Sequence, residues 1–477
     1  MDRILIDLAP AGLRKDGAAL DLPIALAVMA AAELAPVPPN LLVMGELELS
    51  GRVRPVRGVL AAIAAGLEEG ITEFIVPAEN GREAAILTGN NPDMRFVAVS
   101  TLREAVDALF IREESGTLSG NGEWGAGSGE EARSTADDFS VGDFSDVRGQ
   151  VVYKRALEIA AAGGHNLLVF GPPGAGKTML ARRLPSIMAP LSPDEAVEVT
   201  RLHSLAGPFK TGAGTVNYID HLITRAPFRA PHHSASAEGI LGGGKTPRPG
   251  EISLAHFGVL FLDEAPEFKS NVLQALREPL EDRVISISRA EGPVRLPADF
   301  QLLLAANACP CGRLGIRHND SVMQTCLCSP EDINRYWKKF GGAFLDRIEL
   351  RVAVVPPKLS MIDSPPEETG KAIACRVQSA VEIQRLRYRN MGIRRNAQIP
   401  AGKIENLCPL SQQAHTAFHK ALAHLGLSGR AYHGILRVAR TIADLDGKDV
   451  INTTHILEAV QHRRYGEDPY EIVTMEF

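Results

Sequence analysis

Residues 171–178 read Gly-Pro-Pro-Gly-Ala-Gly-Lys-Thr, a glycine-rich loop that ends in a lysine and a hydroxyl side chain. Glycines in such a loop allow backbone N–H groups to face a phosphate at the start of a helix. Lys177 is expected to reach the β- and γ-phosphates of a nucleotide, and the Thr178 hydroxyl is expected to ligate Mg²⁺. The residues predicted to contact the nucleotide are Gly171, Pro172, Pro173, Gly174, Ala175, Gly176, Lys177 and Thr178.

The polar ends of two further apolar strands predict the rest of this site. Residues 259–262 are apolar and precede Asp263 and Glu264, as in a buried parallel strand whose carboxyl end faces a ligand. Asp263 is expected to hold the Mg²⁺ shell and Glu264 to polarise an attacking water; a surface acid pair is the alternative. Asn307 follows an apolar strand at 302–306, where it either positions that water or forms a simple turn.

The elements around these residues predict an α/β fold. An apolar strand at 167–170 precedes the loop and a helix follows it, which is the order that a phosphate-binding loop requires. Apolar runs at 4–8, 41–47 and 74–77 predict strands of a smaller α/β unit. Helical spacing is found at 22–33, 58–69, 371–389, 411–425, 431–445 and 453–463.

Composition favours an ordinary soluble protein. The chain has 477 residues, of which 45% are hydrophobic and 23% charged, and no apolar run is long enough to predict a membrane span. The first residues lack the pattern of a secretion signal, so a cytoplasmic location is expected. The net charge of −6 hides an acidic segment, 113–146, whose nine acidic residues and one arginine leave a balance of +2 for the remainder. An anionic partner is therefore compatible with the folded parts.

Five further segments resemble the ComM/YifB family of magnesium-chelatase-like AAA+ ATPases. The resemblance implies an AAA+ P-loop core with a helical lid, ATP and Mg²⁺ bound between the subunits of a ring that is expected to be a hexamer, and, from the ComM members, a DNA helicase that aids branch migration in natural transformation. The segments are Phe144-Ser-Asp-Val-Arg-Gly-Gln, Ala160-Ala-Ala-Gly-Gly-His-Asn, Phe228-Arg-Ala-Pro-His-His-Ser-Ala-Ser, Pro249-Gly-Glu-Ile-Ser-Leu-Ala-His and Cys309-Pro-Cys-Gly.

The same resemblance suggests four regions. Residues 1–111 are similar to the Lon protease domain, which has the ribosomal protein S5 domain 2-like fold. This region is expected either to be shortened at its N-terminus or to have a misassigned start. Residues 112–143 are expected to be a flexible, acidic, Gly/Ser-rich linker. The AAA+ core is expected over 144–356 and the helical lid over 357–477.

Lon enzymes use a Ser–Lys dyad, and both positions differ in this chain. Counting from the matching motifs, the serine position is Ala19 and the lysine position is Leu60. Neither side chain can act as a nucleophile or a base, so this region is expected to be proteolytically inactive.

The family also suggests two arginines that complete the ATP site. Arg347 occupies the position of the arginine finger, which reaches the γ-phosphate of a neighbouring subunit, and Arg430 resembles the sensor-2 arginine of the lid. A surface ion pair is the alternative for either. Arg335 is a weaker candidate, and Gly341-Gly-Ala-Phe departs from the family pattern just before the finger.

Candidate DNA-binding residues lie in two segments. The insert at 201–250 interleaves basic and aromatic residues, including Arg229 and Lys245, which suits a phosphate track with base stacking. Arg289 is expected at the tip of a β-hairpin over 284–296 that matches the family's pore hairpin; a solvated hairpin end is the alternative. The lid adds a basic cluster that equally fits a solvated helix face: Arg385, Arg387, Arg389, Arg394 and Arg395.

Paired cysteines suggest a structural metal site. Two C-x-C pairs fit Zn²⁺ coordination, although this spacing is tighter than the usual C-x₂-C, and a reducing compartment makes disulfides the weaker interpretation. The adjacent pair His232 and His233 is interpreted as structural or hydrogen-bonding rather than metal-binding. The predicted zinc ligands are Cys309, Cys311, Cys326 and Cys328.

Three functions are therefore compared: an ATP-driven DNA motor, a metal-chelatase motor subunit, and a protein-remodelling ATPase. A chelatase partner would carry an Asp-x-Ser-x-Ser metal-binding motif, and the sequence contains none. The DNA motor is preferred, with the other two as alternatives.

Overall fold

The computed structural model describes residues 4–8, 18–88, 91–115, 118, 142–207, 209–210, 216–217, 221–244, 248–287, 293–314, 326–356, 368–425 and 429–463. Lys245, Arg289 and most of the expected linker lie outside these ranges. The strands are β1 Leu41–Val43, β2 Glu46–Leu47, β3 Val53–Arg54, β4 Glu73–Pro77, β5 Arg95–Val99, β6 Leu167–Phe170, β7 Phe209–Lys210, β8 Val216–Asn217, β9 Phe228–Arg229, β10 Gly242–Gly243, β11 Arg248–Pro249, β12 Val259–Leu262, β13 Val284–Ile287, β14 Val294–Pro297, β15 Gln301–Ala306 and β16 Leu350–Ala353.

The α-helices follow the same chain order, and short 3₁₀ turns join some of them. They are α1 Asp21–Ala31, α2 Val59–Glu68, α3 Gly81–Ala85, α4 Leu102–Ser115, α5 Val151–Gly163, α6 Lys177–Ala181, α7 Leu184–Ile187, α8 Pro193–Ala206, α9 Ala237–Leu241, α10 Glu251–Leu254, α11 Ser270–Ala275, α12 Arg277–Asp282, α13 Pro330–Lys338, α14 Gly342–Leu345, α15 Gly370–Arg387, α16 Ile404–Leu407, α17 Gln412–Leu425, α18 Gly429–Leu445 and α19 Thr453–Arg463.

A five-stranded parallel sheet forms the centre of the molecule. Its strand order is β16-β6-β15-β12-β9, and every neighbouring pair is parallel. Parallel strands end at a common edge, so the loops that follow β6, β12 and β15 lie side by side. This is the α/β core that the apolar runs predict.

Both faces of this sheet are buried, which explains why its strands read as continuous apolar runs. Alternate residues of one strand point to opposite faces: Leu167 and Val169 join one apolar cluster, and Leu168 and Phe170 join the other. The first cluster includes residues of α5, α15, α18 and α19, and the second includes residues of α9 to α14.

The C-terminal region is helical, as predicted, and ion pairs lock its helices together. Asp444 on α18 has no exposed side-chain surface, and its carboxylate forms ion pairs with Arg387 at 2.6 Å and with Arg440 at 3.0 Å. Asn396 donates a further hydrogen bond to Asp444 at 2.8 Å. A carboxylate is stable at this depth only because several charged donors satisfy it.

The lid arginines that the sequence offers as a DNA-facing cluster are instead largely internal. Arg394 pairs with Glu195, contacts Asp299 at 3.2 Å and stacks on the Phe257 ring at 3.4 Å. Burial lowers the pKa of the neighbouring Arg395 to about 10. Arg394 thus joins the lid to the core, whereas Arg387 joins two helices within the lid. A solvated helix face does not describe Arg387, Arg394 or Arg395.

The N-terminal region is a smaller sheet, β1-β4-β5, with all strands parallel. Helices α2 and α3 cover one face of it, and α1 and α4 cover the other. Ala19 packs against the first of these faces and Leu60 is buried within it. The two positions where Lon enzymes carry their dyad are therefore occupied by apolar side chains that pack in the core.

The prediction of a strand at 4–8 is wrong. Residues 4–8 have no strand assignment, and Ile4 and Leu5 are exposed. An apolar run becomes a strand only when a neighbouring strand pairs with it, and among the described residues β1 pairs only with β4. The run predicted at 41–47 is divided into β1 and β2.

Helix α8 joins the N-terminal region to the core. Val197 packs against the apolar cluster of α2, and Arg201 lies 3.6 Å from Glu68. The Ser204 hydroxyl donates a hydrogen bond to the buried Glu83 carboxylate. The N-terminal region thus rests on the helix that leads directly into the insert. Among the described residues, no helix is both long and apolar enough to cross a membrane.

Candidate nucleotide and metal sites

The loop between β6 and α6 requires glycine at defined points. A Cβ on Gly171 would lie 2.2 Å from the carbonyl oxygen of Val354, which leaves no room for a side chain. Gly174 and Gly176 have φ values of 78° and 80°, in the left-handed region that L side chains rarely adopt. Gln150 supports the loop from outside by donating to the carbonyl of Ala175 at 3.0 Å.

The Lys177 ammonium lies in a cradle of oxygen atoms. It donates to the carbonyls of Gly171 at 2.7 Å and Pro172 at 2.9 Å, and to Asn307 Oδ1 at 3.2 Å. Burial lowers the pKa of Lys177 to about 8, while the carboxylates of Asp263 and Glu264 act in the opposite direction. Phosphate oxygens would offer the same acceptors with more charge, so the geometry fits the phosphate-contacting role that the sequence predicts.

The predicted magnesium ligands are in direct contact. Thr178 Oγ1 donates to Asp263 Oδ2 at 2.8 Å, which joins the start of α6 to the end of β12. A hydroxyl and a carboxylate are the oxygen ligands that Mg²⁺ takes in nucleotide sites. Thr178 and Asp263 therefore fit this ion.

Glu264 follows directly at the end of β12 in a left-handed conformation, with φ 49°. Its N–H donates to Asp263 Oδ1 at 3.0 Å, and its side chain is 58% exposed. The carboxylate lines a cavity of about 360 Å³ together with Arg182, His232, His233 and Asp263. His233 Nδ1 lies 3.6 Å from Glu264 Oε2.

The two arginines suggested by the family meet at one carboxylate. Arg347 Nη2 lies 2.6 Å from Glu281 Oε1, and Arg430 Nη2 lies 3.0 Å from the same oxygen. Arg347 also donates to the carbonyl of Ala343, and its side chain is only 14% exposed. Their described contacts are thus with α12 and α14 rather than with the phosphate loop of the same chain. Arg335 is exposed and pairs with its own helix.

The four paired cysteines come together, as predicted. Their Sγ atoms all lie within 4.8 Å of one another, and the closest distances are 3.4 Å and 3.6 Å. These separations exceed a disulfide bond and are close to the roughly 3.8 Å expected between thiolates that share a tetrahedral zinc ion. The cluster can therefore hold a metal ion of the thiolate-preferring kind.

The cysteine cluster lies beside the nucleotide loop. A Cβ on Gly312 would lie 3.3 Å from the Pro173 ring, so the segment that follows Cys311 packs against the loop of residues 171–178. On the other side, Trp337 Nε1 donates to the carbonyl of Ala308 at 3.1 Å and packs edge-on against Phe170. The cluster thus connects the segment after Asn307 to α13.

Of the candidate DNA-binding residues, the structure describes Arg229. Its guanidinium forms a two-bond pair with Glu251, at 2.6 Å and 2.8 Å. A phosphate contact would have to compete with this pair. The two strands of the hairpin predicted at 284–296 are confirmed, because β13 and β14 pair antiparallel.

Sequence reasoning missed two residues of the site. Glu281, which holds both arginines, sits among other acidic residues of α12 and carries no motif signal. His233 is expected from the sequence to be structural or hydrogen-bonding, with no partner named, and in the structure it lies against Glu264. Its position four residues after the end of β9, the strand next to β12, is the signal that locates it.

Comparison with known proteins agrees with this geometry. The family described as "Magnesium chelatase, subunit ChlI" matches residues 143–362, its C-terminal domain matches 367–463, and "Subunit ChlI of Mg-chelatase" matches 1–80. Part of the chain is also 29% identical to Lon protease 2 of Bacillus subtilis, over 194 residues that cover 35% of this chain and 33% of that protein.

Two relatives cover almost the whole chain. It is 40% identical to "Competence protein ComM" of Haemophilus influenzae over 468 residues, and 39% identical to "Uncharacterized protein YifB" of Escherichia coli over 469 residues. Each alignment covers 97% of this chain and 85% of the relative. The chain therefore belongs to the magnesium-chelatase ChlI family of AAA+ ATPases, in the group that contains ComM and YifB.

Proposed function

We propose that this protein hydrolyses ATP within a homo-oligomeric ring, expected to be a hexamer, and uses the energy to move DNA. ATP hydrolysis is supported above all by two contacts at one edge of the sheet: Thr178 with Asp263, and Lys177 with Asn307. Each of these four residues was predicted separately to belong to the ATP site. The family resemblance supports the ring.

Each residue has a distinct part in hydrolysis. Lys177 neutralises the β- and γ-phosphates, while Thr178 and Asp263 would hold Mg²⁺, which would supply positive charge against the phosphates. Glu264 accepts a proton from the attacking water, and Asn307 orients that water. Left-handed backbone at Glu264 turns its side chain into the cavity beside Asp263.

Arg347 and Arg430 act on the ATP of a neighbouring subunit. Their shared contact with Glu281 supports this, since a carboxylate oxygen that receives two guanidinium groups resembles a terminal phosphate oxygen in charge and size. Glu281 keeps the two side chains together until a phosphate replaces it.

DNA is the proposed substrate. Basic and aromatic residues alternate in the insert, β13 and β14 form the hairpin that carries Arg289, and Lys245 lies between β10 and β11. The 40% identity to a protein named for competence points the same way. The alternative, protein remodelling, draws on the contact of the N-terminal region with α8, and the test below separates the two.

The four-cysteine cluster is proposed to hold a structural Zn²⁺. Four thiolates at this spacing suit tetrahedral zinc better than oxygen-preferring ions. The ion would join the ends of a segment that starts beside Asn307 and ends at α13.

The first prediction concerns the two steps of ATP use. Lys177→Ala should abolish ATP binding, because the phosphates lose their buried cation. Glu264→Gln should bind ATP with nearly wild-type affinity and lower turnover by about 10²- to 10⁴-fold, since it removes only the base. Nucleotide-binding titration and steady-state phosphate release measure these effects. Full turnover by Glu264→Gln would contradict the assignment.

The second prediction tests action between subunits. Arg347→Ala should retain ATP binding and lose about 10³-fold or more in turnover. Mixing it with Lys177→Ala should restore part of the activity, because some interfaces then combine an intact Lys177 with an intact Arg347.

Arg335→Ala is the matched control for this experiment, since Arg335 is an exposed arginine on α13 that pairs only locally among the described residues. A larger loss in Arg335→Ala than in Arg347→Ala, or no recovery on mixing, would show that the finger is assigned wrongly.

The third prediction concerns zinc. Protein purified without chelators should contain about one zinc per chain, and Cys311→Ser with Cys328→Ser should remove it and lower the melting temperature. Cys375→Ser is the control, because Cys375 is exposed and lies outside the cluster. Metal analysis showing well under one zinc per chain would refute the site.

The fourth prediction concerns DNA. Forked or four-way DNA should stimulate ATP hydrolysis and be unwound with ATP, and the Glu264→Gln variant should bind the DNA without unwinding it. Lys245→Ala and Arg289→Ala should weaken binding at all sequences and reduce its salt dependence. Stimulation by unfolded protein but by no DNA would favour remodelling.

A further inference from the structure

The imidazole of His233 lies close to the carboxylate of Glu264. Its Nδ1 is 3.6 Å from Glu264 Oε2, and both side chains line the same cavity beside Asp263. The imidazole is 39% exposed and the carboxylate 58%, so water has access to both. In a nucleotide-free arrangement, such catalytic contacts are often longer than a full hydrogen bond and shorten in the substrate complex.

The sheet fixes this juxtaposition. β9 pairs parallel with β12, with Phe228 opposite Val259 and Arg229 opposite Leu260. The segment after β9 and the segment after β12 therefore leave the same edge of the sheet. Below them the rings of Phe228 and Phe261 stack at 5.8 Å, which holds the two strands in this register.

The backbone at Glu264 directs the side chain into the cavity but leaves the orientation of its carboxylate to other contacts. The side chain is more than half exposed, and an exposed glutamate loses rotamer freedom when it must face one water. Contact with the His233 imidazole restricts that freedom before ATP arrives. One carboxylate oxygen then faces His233, and the other is free to accept the proton of the attacking water.

His232 provides a useful comparison within the same segment. Its ring lies 4.1 Å from that of His233, but its Nδ1 contacts Ser234 Oγ at 2.8 Å rather than the carboxylate. The two histidines therefore share a cavity and differ in their partners.

We propose that His233 is a positioning residue that orients the Glu264 carboxylate toward the attacking water. This inference rests on the proposed role of Glu264 as the base. It assigns to His233 a part in turnover and none in nucleotide affinity.

Replacement of His233 tests the proposal. His233→Ala should lower kcat by between about 10- and 100-fold, the scale of a misplaced catalytic group, and change the KM for ATP by less than about 2-fold. His233→Asn places an amide N–H near the Nδ1 position and should recover several-fold of the loss. ATP binding and the melting temperature, measured on the same oligomeric protein, should match those of the wild type.

A double-mutant cycle separates positioning from a general structural effect. In single-turnover hydrolysis, His233→Ala should add little further loss in the Glu264→Gln background, because its effect passes through the carboxylate. An equal loss in both backgrounds would overturn the proposal, as would an unchanged kcat in His233→Ala. A loss in His232→Ala as large as that in His233→Ala would also overturn it.

The proposed function and this inference fail in different ways. Wild-type turnover by Glu264→Gln would show that Glu264 is not the base, and the role proposed for His233 would fail with it. Loss of turnover in Glu264→Gln with full turnover in His233→Ala would leave the base in place and refute only the positioning role.

Discussion

Parallel alignment of β6, β15 and β12 is the constraint on which the rest of the site depends. Their carboxyl ends meet at one edge, and each strand delivers one polar element there: the loop with Lys177, then Asn307, then Asp263. Two contacts join these elements: Lys177 reaches Asn307 after the adjacent strand β15, and Thr178 reaches Asp263 after β12, two strands away. A register shift in any of the three strands would separate groups that act within hydrogen-bond distance.

The sequence predicts this edge well because each of its parts has a local signal. Strands buried on both faces are continuous apolar runs, and the bounds predicted for β6 and β12 agree with the structure. The four helices predicted in the C-terminal region also lie within two residues of their predicted limits, whereas the short α16 was not predicted. The failure at 4–8 shows the limit of such signals, since pairing with a distant segment decides whether an apolar run becomes a strand.

Residues whose role depends on a partner far along the chain were harder to predict. Glu281 and Arg430 are 149 positions apart, and Arg394 is 95 from Asp299. No local pattern marks such pairs, so the lid arginines looked like a solvated basic face although several are internal. The cysteine cluster was predictable because the ligands themselves form paired motifs, and only their convergence awaited the fold.

Three segments outside the sheet contact the edge that carries the proposed catalytic residues. The segment that follows Cys311 packs against Pro173, and α13 reaches the backbone next to Asn307 through Trp337. The segment after β9 places His233 against Glu264 and continues through α9 into the β10–β11 ribbon, whose connection contains Lys245. The β10–β11 ribbon is therefore connected along the chain to His233, and through the 3.6 Å contact of His233 to Glu264, the proposed base. The strands position the proposed phosphate-binding residues, whereas His232 and His233, which line the cavity beside Glu264, belong to the insert itself. This division would suit the proposed motor, because a partner bound to the insert would change the rate of hydrolysis without changing how tightly the phosphates are held.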